Sequence, residues 1–412
     1  MVVFLDETRE LDGIVLRLIR EGSTNLYVPD PFYYKKGKTD YLPSTLPVWY
    51  NPKMEINRDI TILALATFFY ENEDDITYIE ALAGTGVRGF RVINELKKIF
   101  GERLRVVIND INPFACKLMK FNAEVFKYEE NLEITCQDAN LMLLTYRKKS
   151  GNPISAIEID PYGSPMPFIP SAAQIIRGRE GLILASSTDL APLFGKYPES
   201  ALRKYAVRLK KTKFDAEIAA RALIYSIGKE FTIYSKRFAP LFVLYYDGFI
   251  KVIGVVKKGK IPANQFWHNI GWFHYSPKNI FNSSFSRELC ANHREEVETL
   301  GPVWIGTLCD TSFCEKMLDV LKTLEIDPRN KERLEKFIRW SIAGCDLPLY
   351  IDIHEICKMY KLKTKPIDVV LEELKKEQIR ATRTFFNYNA IKVDDLQLGV
   401  NKVIEILKKG EA

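Results

Sequence analysis

Short apolar runs alternate with amphipathic segments along the first half of the chain. From about residue 74 onward, each run of apolar and β-branched residues is followed by a segment with helical spacing. This alternation is typical of a doubly wound α/β domain built on a mainly parallel sheet. The pattern predicts strands over residues 76–80, 104–110, 132–136, 154–160 and 181–185, and helices over 87–100 and 113–126.

A predicted hairpin closes this first region. Apolar runs over 241–246 and 249–256 flank Asp247-Gly248, a residue pair that favours a two-residue hairpin turn. The basic segment Lys257-Lys-Gly-Lys260 follows directly and indicates a boundary. We therefore expect one domain over residues 1–258, including an N-terminal extension, and a second over 259–412.

The second domain gives a weaker pattern. Residues 271–304 are rich in loops and resist assignment. Farther on, residues 351–360, 366–376 and 380–393 predict a helix, a second helix and a β-hairpin. That order suggests a winged helix, a module often used on nucleic acid, within a smaller α+β domain.

Composition places the chain among ordinary globular proteins. Hydrophobic residues make up 47% of the sequence and charged residues 27%. The most apolar stretch, 60–70, is shorter than the roughly 20 residues of a membrane span, so we expect no membrane association. Seven cysteines, an odd number, do not resemble a disulfide framework and fit a reducing, cytoplasmic location.

The net charge of +6 says little by itself, but its distribution says more. One short segment is basic and contains no acid, which favours a polyanionic partner because each neutralised phosphate releases a counterion. The alternative is a solvated helix face. The candidate phosphate-binding residues are Arg203, Lys204, Arg208, Lys210, Lys211 and Lys213.

A glycine-rich turn is the first candidate for cofactor binding. Gly84-Thr-Gly86-Val-Arg-Gly89 matches G-x-G-x-x-G between a predicted strand and a predicted helix. The motif alone fits NAD, S-adenosylmethionine or a plain tight turn. Asp110, at the end of the next strand, can accept both ribose hydroxyls of either cofactor.

The ends of the third and fourth strands favour S-adenosylmethionine. Asp138 and the backbone of Ala139 could bracket an adenine amino group and ring nitrogen. The fourth strand ends in Asp160-Pro161-Tyr162-Gly163, for which a dehydrogenase has no use. An antiparallel hairpin at the end of a parallel sheet also fits a methyltransferase.

The Asp160 tetrad supplies the chemistry that an exocyclic amine needs. Such an amine is a poor nucleophile because its lone pair is delocalised into the ring, and acceptors aimed at its hydrogens favour attack. Asp160 could supply a carboxylate and Pro161 a backbone carbonyl, while Tyr162 stacks on an extruded base. The alternative is an ordinary strand-ending turn, in which Asp, Pro and Gly are common.

Many segments together resemble the tRNA (guanine-26-N2)-dimethyltransferase family. The similarity spans roughly the whole chain and keeps the order of the family's motifs. The segments that carry it are Glu21-Gly-Ser23, Pro47-Val-Trp-Tyr-Asn-Pro52, Asn57-Arg-Asp59, Glu80-Ala-Leu-Ala-Gly-Thr-Gly86-Val-Arg88, Asn109-Asp-Ile-Asn-Pro113, Asp138-Ala139, Asp160-Pro-Tyr-Gly-Ser-Pro165, Ser187-Thr-Asp-Leu190, Gly195-Lys-Tyr-Pro198, Leu202-Arg-Lys-Tyr205 and Arg383-Thr-Phe-Phe-Asn387.

The resemblance implies a class I, Rossmann-like methyltransferase that forms N2-methyl- and N2,N2-dimethylguanosine in tRNA from S-adenosylmethionine. It implies Asp160 as the catalytic residue, with Pro161 and Tyr162 beside it, and a C-terminal domain that binds tRNA. Arg58 and Arg88 would pair with the cofactor's carboxylate through a bidentate fork. The implied cofactor-binding set is Arg58, Glu80, Gly84, Gly86, Arg88, Asp110, Asp138 and Ala139.

The sequence departs from the family pattern at two points. Tyr162 stands where the family usually has Phe, and a tyrosine still stacks. The family's paired Cys-x-x-Cys motifs are replaced by Ser276-Pro-Lys-Asn279 and Cys290-Ala-Asn-His293. A structural zinc site needs four ligands, so we expect no metal.

Three other functions stay open from the residues alone. The chain could methylate a different tRNA guanosine or adenine N6, because Asp-Pro-aromatic motifs also serve other amines. It could be a tRNA-binding protein without catalysis, although the intact Asp138 and Asp160 argue against that. An NAD-dependent oxidoreductase is the third.

Overall fold

The computed structural model describes residues 2–35, 43–149, 154–176, 179–289 and 297–409. Strands occur along the whole of this length, in four separate sheets within the described residues. The strands are β1 (Val3–Leu11), β2 (Ile14–Glu21), β3 (Thr24–Pro29), β4 (Ile76–Glu80), β5 (Leu104–Asp110), β6 (Leu132–Cys136), β7 (Ala156–Ile159), β8 (Glu180–Ser187), β9 (Lys236–Tyr246), β10 (Phe249–Lys258), β11 (Ile270–Tyr275), β12 (Ser284–Ser286), β13 (Glu298–Trp304), β14 (Ile351–Asp352), β15 (Ala381–Arg383) and β16 (Ala390–Val393).

Helices connect these strands and cover both faces of the largest sheet. They are α1 (Glu55–Phe69), α2 (Val87–Phe100), α3 (Pro113–Phe126), α4 (Ala139–Lys149), α5 (Ile169–Ile175), α6 (Leu190–Leu193), α7 (Pro198–Tyr205), α8 (Asp215–Ile233), α9 (Lys260–Phe266), α10 (Thr311–Thr323), α11 (Pro328–Ala343), α12 (Ile353–Tyr360), α13 (Ile367–Lys376) and α14 (Leu396–Lys408).

The largest sheet has the strand order β6-β5-β4-β7-β8-β10-β9. Strands β4 to β8 run parallel, whereas β10 pairs antiparallel with both β8 and β9. The strand order reverses between β4 and β7, and such a switch point opens a crevice at the carboxyl ends of the strands. This topology confirms the predicted Rossmann-like methyltransferase fold.

The bounds of five predicted elements are confirmed: β4, α2, β5, α3 and β6. The glycine-rich turn shows why its residues suit the strand-to-helix transition. Gly86 has a φ of 78°, and a Cβ there would lie 2.8 Å from Met119 Cγ. At Gly89 a Cβ would lie 2.1 Å from Ile108 Cγ2, so the missing side chain allows α2 to pack closely on β5.

The fourth strand is shorter than predicted, and the strands after it are longer. Ile154 makes only an isolated bridge to Ile176, so β7 begins at Ala156. It ends before Asp160, whose side chain therefore lies at the edge of the sheet. The hairpin prediction is confirmed, since Asp247 and Gly248 both have positive φ values between β9 and β10.

The region 271–304 is not mainly loop, which corrects the sequence-based expectation. Strands β11, β12 and β13 form an antiparallel sheet there in the order β12-β11-β13. The sequence periodicity missed this sheet because β12 is only three residues long. Its β13 packs against α8, next to the largest sheet.

The winged-helix prediction is confirmed in its order of elements. Helix α11 is followed by β14, α12, α13 and a β15–β16 hairpin, with the sheet order β14-β16-β15. The first helix starts later than predicted because residues 351–352 form β14. Asp352 then caps α12 by accepting the backbone N–H of His354 at 2.8 Å.

The C-terminal elements pack directly on the elements of the larger sheet. Lys392 on β16 pairs with Glu217 on α8 at 2.8 Å, and both side chains are buried. Asn330 on α11 donates to Asp59 on α1 at 2.8 Å. One hydrophobic core runs across residues 258 and 259, and the division into two domains there stays a prediction.

The N-terminal sheet β1-β2-β3 meets α1 and α2 through buried charges. Glu21, at the end of β2, accepts Arg58 Nε at 2.5 Å and Arg58 Nη2 at 2.7 Å. It also accepts Arg91 Nη1 at 3.1 Å. Arg91 pairs further with Asp59 and Glu95, so Glu21 is shared by two buried guanidinium groups.

A disulfide joins Cys116 on α3 to Cys136 at the end of β6, which the cysteine pattern did not indicate. The remaining described cysteines, Cys309, Cys314, Cys345 and Cys357, are free. Among the helices that the structure describes, none has the length and apolar character needed to cross a membrane.

Loss of Glu21 should destabilise the fold. Glu21→Ala leaves Arg58 and Arg91 without a shared partner in a buried site, and breaking one side of such a pair costs about 3–5 kcal/mol. Urea denaturation measures the free energy of unfolding. The matched control is Glu133→Ala, since Glu133 forms an exposed pair with Arg105 and should lose under about 1 kcal/mol. Equal effects of the two changes would contradict this role.

Candidate functional site

A cavity of about 950 Å³ lies at the carboxyl ends of the parallel strands, at the switch point of the sheet. Its wall brings together most of the residues that the sequence singled out. These are Arg58, Glu80, Gly84, Arg88, Asp110, Asp160, Pro161, Tyr162 and Lys204.

Asp110 holds the glycine-rich turn at the rim of this cavity. Its Oδ2 accepts the backbone N–H of Gly84 at 2.7 Å, and its Oδ1 accepts that of Asn112 at 2.9 Å. The turn itself is closed by Gly86 N–H, which donates to the carbonyl of Ala83 at 2.8 Å. Gly86 therefore closes the turn through its backbone and does not line the cavity.

Asp138 and Ala139 lie at the neighbouring strand end, outside the cavity wall. Asp138 is exposed and accepts the backbone N–H of Leu141 at 3.0 Å, so it caps the start of α4. Ala139 is buried. Their assignment to adenine stays a prediction.

Arg58 is buried, and other groups already occupy much of its guanidinium. Glu21 takes Nε and Nη2, as described above. Both Nη1 and Nη2 also donate to the carbonyl of Asn51, each at 3.2 Å. Glu21 thus fills the Nε–Nη2 edge of the guanidinium, one that could hold a carboxylate in a bidentate manner, and no local sequence pattern indicates this partner.

Arg88 lies deeper in the cavity, among carboxylates. Its Nη2 contacts Asp160, its Nη1 contacts Glu158, and its Nε lies 3.5 Å from Glu80 Oε1. Nε and Nη1 make no hydrogen bond with any described residue, so they are held by charge alone. Glu80 also accepts the backbone N–H of Gly89 at 2.9 Å, which fixes the first turn of α2.

The same charges set the ionisation of the acids. Burial by itself raises the pKa of Asp160, but Arg88 and then Lys251 outweigh it, and the pKa lies below its ordinary value. Burial raises the pKa of Glu80 to about 8, in spite of Arg88 and with help from Glu158. Near neutral pH, Asp160 is therefore ionised, whereas Glu80 carries a proton in much of the population.

Glu158 and Lys251 belong to this cluster, although no motif marks them. Glu158 is fully buried on β7, and Lys251 on β10 is 1% exposed. Both lie in strands whose neighbouring positions are apolar. A charged residue at a fully buried strand position was the available signal, because such a residue needs a partner.

Two aromatic rings stand at the mouth of the cavity. Tyr162 is 83% exposed, and Trp49 is 41% exposed. Their ring centroids lie 5.0 Å apart with an interplanar angle of 54°. Trp49 was part of a family signature but not of the predicted site. It lies in a loop, where no helical or strand periodicity indicates which residues it faces.

The basic segment 203–213 is exposed at each of its charged positions, but several are already paired. Lys204 contacts Asp189 at 2.8 Å, Lys210 contacts Glu298 at 2.6 Å and Lys213 contacts Glu355 at 2.9 Å. These acids lie outside the segment, so its sequence did not show them. Arg203, Arg208 and Lys211 form no ion pair with a described residue.

The described residues contain no group of His, Cys, Asp and Glu side chains arranged to hold a metal ion. His274, a histidine on β11, contacts Thr299 Oγ1 at 3.1 Å and the carbonyl of Glu288 at 3.3 Å, so both of its ring nitrogens have partners within the protein. Cys290 and His293 lie outside the described residues.

Comparison with known proteins identifies the family. Residues 27–408 match the family described as N2,N2-dimethylguanosine tRNA methyltransferase. The tRNA (guanine(26)-N(2))-dimethyltransferase of Methanosarcina acetivorans is 29% identical, over 96% of this chain and 100% of the relative. That of Methanococcus maripaludis is 31% identical, over 92% of this chain and 95% of the relative.

A solved structure shares the fold. Trm1 from Pyrococcus horikoshii, determined with S-adenosyl-L-methionine, superposes with a TM-score of 0.78 at 24% identity, covering 93% of this chain and 99% of that one. The family match over nearly the whole length agrees with the strand order of the largest sheet. The chain belongs to the N2,N2-dimethylguanosine tRNA methyltransferase family.

Proposed function

We propose that this protein transfers methyl groups from S-adenosylmethionine to the exocyclic N2 of a guanosine in tRNA, at position 26, giving N2-methyl- and N2,N2-dimethylguanosine. Family membership supports the reaction class, and the names of the relatives support the position. The observation that carries the proposal is the ionised Asp160 carboxylate in a cavity between a glycine-rich turn and an exposed aromatic pair.

The cavity fits the cofactor. The positive φ of Gly84 and Gly86 brings the turn close to the strand ends, and a Cβ at Gly84 would lie 3.1 Å from the carbonyl of Trp49. Asp110 stands where ribose hydroxyls would be accepted. Arg88 also lines the cavity, where its positive charge would attract the cofactor's carboxylate, although its nitrogens already face Glu80, Glu158 and Asp160.

S-adenosylmethionine, when bound, supplies a methyl group made electrophilic by its sulfonium. The protein's task is to bring the amine into line with that methyl group, and such positioning accounts for much of the rate enhancement. Tyr162 offers an exposed ring on which an extruded guanine can stack, and Trp49 lies beside it. Pro161 and Asp160 follow directly on the floor of the cavity.

In this proposal, Asp160 accepts a hydrogen bond from the target amine. This contact pulls the nitrogen lone pair out of conjugation and stabilises the positive charge that develops as the methyl group transfers. Because its pKa lies below the ordinary value, Asp160 acts as a charged acceptor and not as a base that keeps the proton. The carbonyl of Pro161 is the second acceptor.

The basic segment 203–213 is the proposed contact for tRNA phosphates. Lys204 lines the cavity, so this segment begins at the site of reaction. Arg203, Arg208 and Lys211 are exposed and without an ion pair to the described residues, which makes them the strongest contributors. We place the C-terminal domain, residues 259–412, on the same tRNA.

The first test measures binding of S-adenosylmethionine by calorimetry. Asp110→Ala should weaken it by about 1.5–3 kcal/mol, because a hydrogen bond to a charged group is lost. Asp110→Asn keeps one acceptor oxygen and should lose less. Asp74→Ala, an exposed carboxylate at the opposite end of β4, is the control and should bind normally. Normal binding by a folded Asp110→Ala would remove Asp110 from the cofactor site.

The second test examines the reaction itself. Nucleoside mass spectrometry of tRNA treated with the protein and S-adenosylmethionine should show N2-methyl- and N2,N2-dimethylguanosine. Asp160→Ala should slow single-turnover methylation by about 10²-fold or more, since a transition-state stabiliser is lost, while cofactor and tRNA affinities stay within a few fold. Tyr162→Phe should stay largely active, and Tyr162→Ala should not.

Two outcomes would contradict the second prediction. N6-methyladenosine, or no methylated nucleoside from the unaltered protein, rejects the proposed substrate. A folded Asp160→Ala protein with the parent rate shows that the tetrad is only a turn.

The third test concerns tRNA binding. Replacing Arg203 and Lys211 together with Ala should weaken binding and flatten the dependence of log K on log salt by up to about 0.7–0.9 for each lost phosphate contact. Lys210→Ala with Lys213→Ala is the matched control, because these side chains are held by Glu298 and Glu355 and should change the slope less. If the salt dependence of the Arg203 and Lys211 double variant is unchanged, the segment does not contact phosphates and is only a solvated surface.

A further inference from the structure

A lysine is buried beneath the catalytic carboxylate. Lys251 lies on β10, and its Nζ donates to Glu158 Oε1 at 2.8 Å, Asn57 Oδ1 at 2.9 Å and Thr61 Oγ1 at 2.9 Å. Three acceptors require three N–H hydrogens, so the amine is the charged ammonium form. Burial lowers the pKa of Lys251, and Glu158 opposes that effect.

A chain of ion pairs is the first connection between Lys251 and Asp160. Glu158 Oε1 contacts both Lys251 Nζ and Arg88 Nη1, and Arg88 in turn contacts Asp160. The other oxygen of Glu158 accepts Thr61 Oγ1 at 2.9 Å. Each oxygen of Glu158 is thus fixed, and Arg88 is held between two carboxylates of one strand end.

The second route runs through neutral groups. Lys251 on β10 stands opposite Ser186 on β8 in the sheet register. Asn57, held by Lys251, donates from Nδ2 to Ser186 Oγ at 3.1 Å. Ser186 in turn acts on Asp160 and lowers the pKa of that carboxyl. Both routes end on the same carboxylate.

Stability does not explain a lysine in this position. Replacing buried ion pairs by apolar residues is often neutral or stabilising, because the desolvation of the charges is avoided. The strand position itself suits an apolar residue, since Ile250 and Val252 on either side are buried. Both sets of contacts made by Lys251 connect it to Asp160, the proposed reacting group of the site.

We propose that Lys251 is a positioning residue for methyl transfer, which holds Asp160 in the orientation and the ionised state that the target amine requires. This inference rests on the proposed function. The charged and titratable groups that face Asp160 are Arg88 from α2, Tyr78 and Glu80 from β4, Glu158 from β7 and Lys251 from β10.

The test is the pH dependence of single-turnover methylation by Lys251→Met. In the unaltered protein, Asp160 is ionised throughout, so its own titration should add no acid limb to the rate between about pH 5 and about pH 8, and the profile of the unaltered protein, in which Glu80 titrates as well, is the reference. Removing a neighbouring opposite charge raises a carboxyl pKa by about 1–3 units. The variant should therefore lose activity toward the acid end of this range, and its rate at the upper end should fall about tenfold from lost positioning.

A second variant separates charge from structure. Lys251→Met combined with Glu158→Gln removes one positive and one negative charge, so the net charge around Asp160 returns to its original value. The acid limb should move back toward that of the unaltered protein, although the rate stays low because the contacts are still missing. Lys258→Met, on the exposed end of the same strand, is the control and should keep the parent pH profile.

These results decide the inference independently of the proposed function. An unaltered protein that does not methylate tRNA rejects the function. If the unaltered protein is active and Lys251→Met has the same pH profile, the inference is rejected. It is also rejected if the acid limb of the double variant is shifted as far as that of Lys251→Met. If Lys251→Met does not fold, Thr61→Val removes one contact to Lys251 and one to Glu158 at constant shape, and it should raise the acid limb by a smaller amount. No shift in Thr61→Val would then overturn the inference.

Discussion

A guanidinium buried without partners costs several kcal/mol, and α2 carries two of them. Arg88 and Arg91 lie one turn apart and are both buried. Arg88 faces the acids at the ends of β4 and β7, whereas Arg91 faces Glu21, Asp59 and Glu95. The N-terminal sheet, α1 and the central sheet must all supply carboxylates to one helix. That requirement fixes the cavity, since Glu21 and Glu80 also position Arg58 and the glycine-rich turn.

Much of the central fold could be predicted because its signals are local. The apolar strands β4, β5 and β6 are soon followed by Gly84, Asn112-Pro113 and Asp138, residue types that stop a strand or begin a helix, so their bounds follow from neighbours in sequence. The parallel arrangement then brings Asp110 and Asp160 to one edge without further information. Several predicted site residues that line the cavity, such as Glu80, Asp110 and Asp160, lie at or just after a strand end.

The features that the sequence did not predict depend on contacts between residues far apart in the chain. Glu21 reaches Arg58, Lys251 reaches Glu158, and Glu298 reaches Lys210, and none of these pairs shares a motif. Sequence shows that a buried charge needs a partner but not which partner the fold provides. For the same reason all six cations of the basic segment looked free, although Asp189, Glu298 and Glu355 pair with three of its lysines.

The pair of rings at the cavity mouth sets an energetic threshold for RNA. At a centroid distance of 5.0 Å, Trp49 and Tyr162 leave no room for a base between them, so a guanine that enters as a sandwich must separate them. An aromatic pair contributes about 0.5–1.5 kcal/mol beyond its buried area. Extrusion of a base from a duplex costs a few kcal/mol more. A nucleotide at a loosely stacked junction has already lost part of that stacking energy. Under the proposed mechanism, the local stacking of the RNA, as well as the identity of the base, should therefore govern which guanosine reaches Asp160.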